Sequence, residues 1–397
     1  MSDNLAPVMP GSRIDAKLPS LDGWRALSIV LVLGWHCTYS AGFPEFLRKP
    51  FGLVFDGNLG VRMFFIISGF LITWLMLKEQ TRTGDINLLN FYARRGLRIL
   101  PVYFTFLLTL LIFQFKTPFH QSPTEWLVSL TFTGDFFSVG NWTSGHLWSL
   151  AVEEQFYLLW PCLFVFSGAA KSLRLALQIL LVPVIVAPIA RVLSFFLNPP
   201  PSAVHLFAHG TRLDFVREHF AFVPAFFGIL FSSGSFFNFF DSLALGCLGA
   251  LVIVHRPDIV RSWSTVRPAL LSSVAIAMIL VPQMLNHMTG FGFPALTIPF
   301  EFTIQGIGIL ALLLQSVANP WLGFYPLLNG MIPVKIGMLS YSIYIWQQIF
   351  CSPPALFGFG NVWWFSFPSW IIAALLTAVI SYVSLERPFF RLRAHFR

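Results

Sequence analysis

The chain has 397 residues, 56% hydrophobic and only 11% charged, with 45 phenylalanines. Soluble domains carry about 25% charged residues. This composition therefore excludes a soluble globule and predicts an all-α, multi-pass integral membrane protein whose apolar runs are long enough to span as helices. The net charge of +8 would suggest a nucleic-acid partner in a soluble protein. Here its placement argues for topology and against nucleic acid.

The N-terminal segment 1–23 carries Asp3, Arg13, Asp15, Lys17 and Asp22, with no basic-apolar-small succession. No cleavable signal peptide is expected, and the first span itself directs insertion. About ten transmembrane helices follow, at roughly 24–42, 58–77, 99–115, 147–168, 175–196, 236–254, 268–286, 298–318, 336–352 and 367–385. Lys78, Arg82, Arg94, Arg95 and Arg98 cluster in one loop, Lys171 and Arg174 in a second, and Arg256, Arg261 and Arg267 in a third. Arg387, Arg391, Arg393 and Arg397 fill the tail, while the intervening loops are near neutral. That alternation places the basic loops and both termini on the cytoplasmic side.

Loop 116–146 contains Trp126, Phe132, Phe136 and Phe137 and reads as an interfacial segment on the outer side. Pro199, Pro200 and Pro201 make a rigid turn. The apolar stretch 221–232 is short and interrupted by Pro224, and reads as re-entrant or interfacial. The expected organisation is a cytoplasmic segment (1–23), one membrane domain (24–385) and a basic cytoplasmic tail (386–397), with no further domain. Cys37, Cys162, Cys247 and Cys351 lie in or beside apolar segments without CxxC spacing. They read as buried free thiols, with no metal site.

Four constellations interrupt the apolar pattern. Arg25 and His36 lie eleven residues apart in the first span, which closes to about 20° on a helix and separates them by about 16 Å. Arg25, near the cytoplasmic end, is within snorkelling reach of water. His36 is deeper; a desolvated imidazole is neutral and able to accept a proton, as a general base must. In the second, Arg95 and Arg98 sit i,i+3 on one face. They read either as topology signals or as a paired guanidinium clamp for phosphate.

The third, HLWSLAVEEQFY at 146–157, puts two glutamates inside an apolar helix. His146, Ser149, Leu150, Glu153 and Tyr157 share a face, and Glu154 is turned about 100° away. Glu153 is the better candidate to meet another polar group; Glu154 reads as a structural partner. Buried ionisable groups of this kind are functional candidates, or polar contacts between helices. In the fourth, GVRMFFIISGF at 60–70, Arg62 reads as an interfacial anchor at a helix end, and Ser68 with Gly69 permits close helix approach.

The chain resembles the membrane-bound acyltransferase family 3, bacterial O-acyltransferases that modify polysaccharides, Nod factors and macrolides. The similarity lies in LDGWRALSIVLVLGWH (21–36), GVRMFFIISGFLIT (60–73), FYARRGLRILPVYF (91–104), HLWSLAVEEQFYLLWP (146–161), GMLSYSIYIWQQ (337–348) and ERPFF (386–390), in the family's order. The resemblance implies that the family's Arg-then-ten-then-His motif falls on Arg25 and His36. Its RxxR motif, assigned to acyl-CoA binding, falls on Arg95 and Arg98. The glutamate of its WSLxVE motif falls on Glu153.

It further implies acyl transfer, usually acetyl, from cytoplasmic acyl-CoA as co-substrate to hydroxyls of a carbohydrate or glycoconjugate, in a bacterial inner membrane and with no tightly bound cofactor. Some relatives carry His after the tryptophan of the ninth span, where this chain has Gln347, so no catalytic role is expected there. Many relatives carry a C-terminal SGNH domain. Without one, transfer is expected to finish in the membrane domain or on a separate periplasmic acyl-accepting protein.

The residues and the resemblance agree on a division of labour. Cytoplasmic arginines hold the donor's anionic end. His36 deprotonates the acceptor hydroxyl, and Glu153 orients or charges the imidazole. A covalent acyl intermediate on His36 or Ser149 stays open. The rival from another class is a proton-coupled transporter or exporter using Arg25, His36 and Glu153 as a relay. A carrier has no need of the RxxR clamp, and no inverted repeat is visible.

Overall fold

The computed structural model describes residues 18–137, 141–197, 235–288, 294–360, 362–393 and 396. Ten long helices occur among them: α1 Leu21–Cys37, α2 Gly57–Thr83, α3 Leu88–Lys116, α4 Leu147–Phe166, α5 Leu173–Leu197, α6 Phe236–His255, α7 Pro268–Met288, α8 Pro294–Ala318, α9 Met331–Phe350 and α10 Ser369–Ser381. A π-helical turn, Tyr382–Glu386, extends α10 into Arg387–Arg393. Each apolar segment read from the sequence falls on one of these helices. No β-strand forms among the described residues. The stretch 221–232 lies outside the described residues. Loop 116–146 carries two short helices, Pro123–Thr131 and Trp142–Gly145.

Among the described residues, seven helical stretches are long and apolar enough by themselves to cross a membrane: Glu45–Thr83, Leu88–Lys116, Leu173–Ser194, Phe236–His255, Pro268–Leu285, Phe300–Ala318 and Ser369–Leu392. The three long helices outside that set are α1, α4 and α9. They carry Arg25 and His36, Glu153 and Glu154, and Gln347 and Gln348. α1 is only 17 residues long, and polar side chains lower the apolarity of α4 and α9, so the place of all three in the bundle depends on partners that satisfy their polar groups.

Local chemistry sets the helix ends. The Asp56 carboxylate accepts from the Asn58 and Leu59 amides at 2.7 and 3.1 Å, which starts α2, and Gly84 at φ 81° stops it. Asn87 caps α3 by accepting from the Asn90 amide at 2.9 Å. Both satisfy backbone donors that a helix start leaves unpaired.

α2 packs most extensively on α6, and α1 lies against both α2 and α9. Phe65, Phe106, Phe156, Phe239 and Ile343 form one apolar core between α2, α3, α4, α6 and α9. Trp24, Ile66, Phe70 and Leu313 form a second between α1, α2 and α8. At Gly69 an added Cβ would fall well inside contact distance of the Leu243 carbonyl oxygen of α6. At Gly337 it would meet the Asp22 carbonyl oxygen in the same way. Small residues let membrane helices approach this closely. Gly69→Ala is therefore expected to lower stability by about 1–3 kcal/mol, the usual range for overpacking. Thermal unfolding in detergent would measure it.

Contacts gather the basic helix ends together. Arg94 of α3 pairs with Glu79 of α2 at 2.7 Å, and Tyr92 of α3 donates to the Leu158 carbonyl of α4 at 2.8 Å. Ser342 of α9 donates to Glu386 in the π-helical turn.

The opposite end holds a buried ionic network and corrects the reading of Arg62. Arg62 is 2% exposed, so it is no interfacial anchor. It pairs with Glu301 of α8 at 3.8 Å, donates to Gln305, and lies 4.2 Å over the Phe302 ring. Arg191 of α5 lies 4.9 Å over the same ring and pairs with Asp241 of α6 at 2.6 Å. The physical reason is that Arg62 faces α8, which supplies a carboxylate, an amide oxygen and an aromatic face. All four cysteines are free thiols, as expected, with Cys162 partly exposed and the others buried.

Candidate active site

α1, α2, α3, α4 and α9 enclose a pocket of about 700 Å³, its open mouth included. Its wall on α2 runs from Val61 to Leu71, ten residues or about 15 Å at 1.5 Å per residue. Arg25, Arg95 and Arg98 line it at the basic end. Ser68, Glu153 and Tyr157 follow, and Ser149 and Tyr344 stand at the far end. Four of the five predicted site residues thus line one pocket, although α1, α3 and α4 are far apart in sequence.

The arginines are held differently. The Arg95 guanidinium lies 3.7 Å over the Tyr157 ring, a cation–π contact that leaves its edge free to donate. Arg25 lies on the pocket wall within electrostatic range of Glu153 and Asp22, so it does not snorkel away from the bundle. Arg98 lies within electrostatic range of Glu386. Arg94 is drawn out of the pocket to Glu79 and the Phe396 carbonyl.

Glu153 is fixed by two hydroxyls. Ser68 donates to Oε1 at 2.7 Å and Tyr157 to Oε2 at 2.9 Å. Charge-assisted bonds of this kind are stronger than neutral ones and fix the carboxylate's orientation. Glu154 points elsewhere, within electrostatic range of Arg95. Its Oε1 is buried and has no hydrogen-bond partner among the described residues, so the expected structural pairing is only partial.

His36 does not line the pocket, and the contact expected from Glu153 is absent. Its Nδ1 meets Gln347 Oε1 of α9 at 2.9 Å, and its ring stands edge-on to Trp142 at 5.8 Å. The reason is axial position. Glu153 sits within range of Arg25, and His36 lies about 16 Å further along α1. Tyr344 closes the pocket by a 2.5 Å hydrogen bond with Ser149. Gln347 follows three residues later, about one helical turn beyond.

Sequence reasoning missed several residues here. Gln347 draws no catalytic role from the sequence because it stands where some relatives carry a histidine. Tyr344 and Ser68 bear hydroxyls common in any membrane helix. Glu386 was visible only as part of a motif; the π-helical turn brings it inward, where it is 2% exposed. His146 is 5% exposed. Its Nε2 lies 3.1 Å from the Ile345 carbonyl, and its Nδ1 has no partner among the described residues.

Long apolar helices around a pocket walled by three arginines, a carboxylate and several hydroxyls define an integral membrane protein with an interior polar site. The chain belongs to the acyltransferase-domain family, which it matches over residues 18–386. It is 26% identical to O-acetyltransferase OatA of Staphylococcus aureus over 392 residues, 94% of this chain and 57% of that protein. It is 32% identical to peptidoglycan O-acetyltransferase OatA of Listeria monocytogenes over 186 residues, 41% of this chain and 27% of that protein. The chain thus spans little more than half the length of these relatives at most. No solved structure matches it.

Proposed function

We propose that this chain is a membrane O-acetyltransferase that moves an acetyl group from cytoplasmic acyl-CoA to a hydroxyl of a sugar or glycoconjugate at the opposite face. The observation that carries this reading is the convergence of Arg25, Arg95 and Arg98 at one end of a pocket that reaches toward His36. Guanidinium groups suit the phosphates of the donor's nucleotide end. The thioester end would extend toward Ser149 and Tyr344. His36 would take the proton of the acceptor hydroxyl as its oxygen attacks the thioester carbonyl. The new C–O bond forms, the C–S bond breaks, and the coenzyme A thiol leaves with a proton. In this reading Glu153 acts on the donor side, because its partners are Ser68 and Tyr157.

A glycan acceptor is supported by likeness to the Listeria relative, whose name specifies peptidoglycan. The basic ends of α2, α3 and α10 support a cytoplasmic position for that side, and with it a bacterial inner-membrane location with both termini inside. A proton-coupled carrier accounts for a partly buried histidine in a membrane helix but leaves three convergent arginines without work.

Two measurements test the proposal together. Mass spectrometry of surface glycans from deletion and complemented cells is expected to show an acetyl increment only with the gene present. Arg95→Ala with Arg98→Ala is expected to weaken acetyl-CoA binding tenfold or more, since each charged hydrogen bond contributes about 1.5–3 kcal/mol. Unchanged affinity in a binding titration would reduce both arginines to topology signals.

A further inference from the structure

Behind His36 lies a chain of buried amides. Gln347 is 0% exposed and Gln348 3%, and two primary amides in apolar surroundings are costly unless every polar atom is satisfied. The Gln348 side chain meets the Trp142 backbone carbonyl at 2.8 Å. It meets the Gln347 side chain at 2.9 Å, and Gln347 meets His36 Nδ1 at 2.9 Å.

The orientation of this chain follows from one atom. A backbone carbonyl can only accept, so the Gln348 atom facing Trp142 is its NH2. The Gln348 oxygen then faces Gln347 and must receive that residue's NH2. The Gln347 oxygen is left for His36, and an oxygen acceptor requires that Nδ1 carry the hydrogen. The ring's single lone pair therefore sits on Nε2.

We infer that Gln347 and Gln348 are positioning residues that lock His36 in the Nδ1–H tautomer and so present Nε2 as the basic nitrogen. The inference rests on the proposed reading of His36 as general base. It gives Gln347, to which the sequence assigned no role, the part that a carboxylate plays behind the histidine of a serine-protease triad. There, holding the wrong tautomer lowers kcat by ~10⁴-fold. A neutral amide fixes the tautomer without adding a charge to the membrane interior, where charges are costly. The Trp142 anchor precedes α4 and Gln347 belongs to α9, so the tautomer depends on how these two elements dock.

Histidine isotope labelling with NMR of the full chain in lipid nanodiscs reads the tautomer directly. His36 is assigned by the signal that disappears in His36→Ala. The wild type is expected to show Nδ1–H. Gln348→Leu leaves Gln347 in place but removes its direction, and Gln347→Leu removes the acceptor. Both are expected to lose the Nδ1–H preference and to lower kcat by about tenfold or more, with KM for acetyl-CoA unchanged because the arginines are untouched. Gln348→Glu, as the neutral acid that this buried position favours, can donate its O–H to the Trp142 carbonyl and still receive the Gln347 NH2, and is expected to keep the tautomer. That rescue separates orientation from packing.

An Nε2–H tautomer in the wild type would overturn the inference. So would an unchanged tautomer in Gln348→Leu, even if Gln347→Leu fails to fold. Full transfer by His36→Ala would overturn instead the base assignment on which the inference rests.

Discussion

Replacing His36 by alanine is expected to lower acetyl transfer by 10²–10⁴-fold, the range a general base contributes. His36 is a partly buried side chain with one hydrogen bond, to Gln347 at 2.9 Å. Its removal takes one of two partners from the buried Gln347 amide oxygen, to which the Cys351 thiol also donates at 3.8 Å, a cost of at most about 1–3 kcal/mol. Rate should therefore fall far more than the amount of protein in the membrane. Initial rates of label transfer from acetyl-CoA, normalised to folded protein, measure the first quantity; fluorescence-detected gel filtration measures the second. The contrast with the arginines is diagnostic. Arg95 and Arg98 sit at the other end of the pocket, so their loss should act through KM and that of His36 through kcat. A His36→Ala protein that transfers acetyl at the wild-type rate would remove His36 from the chemistry.

The largest effect on stability is expected at Asp241. Its carboxylate lies 2.6 Å from the Arg191 guanidinium, with the two side chains 0% and 7% exposed. Thr303 also donates to it, at 2.5 Å. Asp241→Leu removes the carboxylate that faces the buried Arg191 guanidinium, and breaking a buried pair from one side typically costs about 3–5 kcal/mol. Arg191→Met combined with Asp241→Leu removes both charges and is expected to recover part of the loss. Recovery is partial because Arg191 also donates to the Asn238 carbonyl at 2.7 Å and to Thr303 at 3.3 Å. Thermal unfolding of the single and double variants in detergent decides it. A double variant no more stable than Asp241→Leu would mean that the stranded guanidinium is not the source of the loss. This network lies at the end of the bundle away from the arginine pocket. Protein that remains folded should keep its KM for acetyl-CoA.

How much of the site was legible depends on the kind of residue. Arg25, Arg95, Arg98 and Glu153 were visible because a charge inside or beside an apolar run is energetically anomalous wherever the chain goes. Their helical phases also held: Ser149, Glu153 and Tyr157, placed on one face by a count of 100° per residue, line one pocket. Phase describes a single helix, however, and says nothing about which neighbour occupies that face. Glu153 was assigned to His36 because both were anomalies. The structure gives it Ser68 and Tyr157 instead, and gives His36 an amide 311 residues away. Arg62 failed for the same reason. At the start of an apolar run it reads as an anchor for the interface, and only the docking of α8 on α2 supplies Glu301.

The sequence by itself determined the helical class, the ten apolar segments, the basic side, and which residues are too costly to bury without cause. Those are properties of transfer energy and local periodicity, and each is written within a window of about twenty residues. Only the tertiary structure decided which groups satisfy one another: two hydroxyls for Glu153, a carboxylate for Arg62, and the Trp142–Gln348–Gln347 chain for His36. Hydrogen bonds and ion pairs act over about 3–4 Å, and the partners that come within that distance are chosen by helix packing. Close contacts at Gly69 and Gly337 help set that packing, and they join segments that are far apart in sequence, α2 to α6 and α9 to α1.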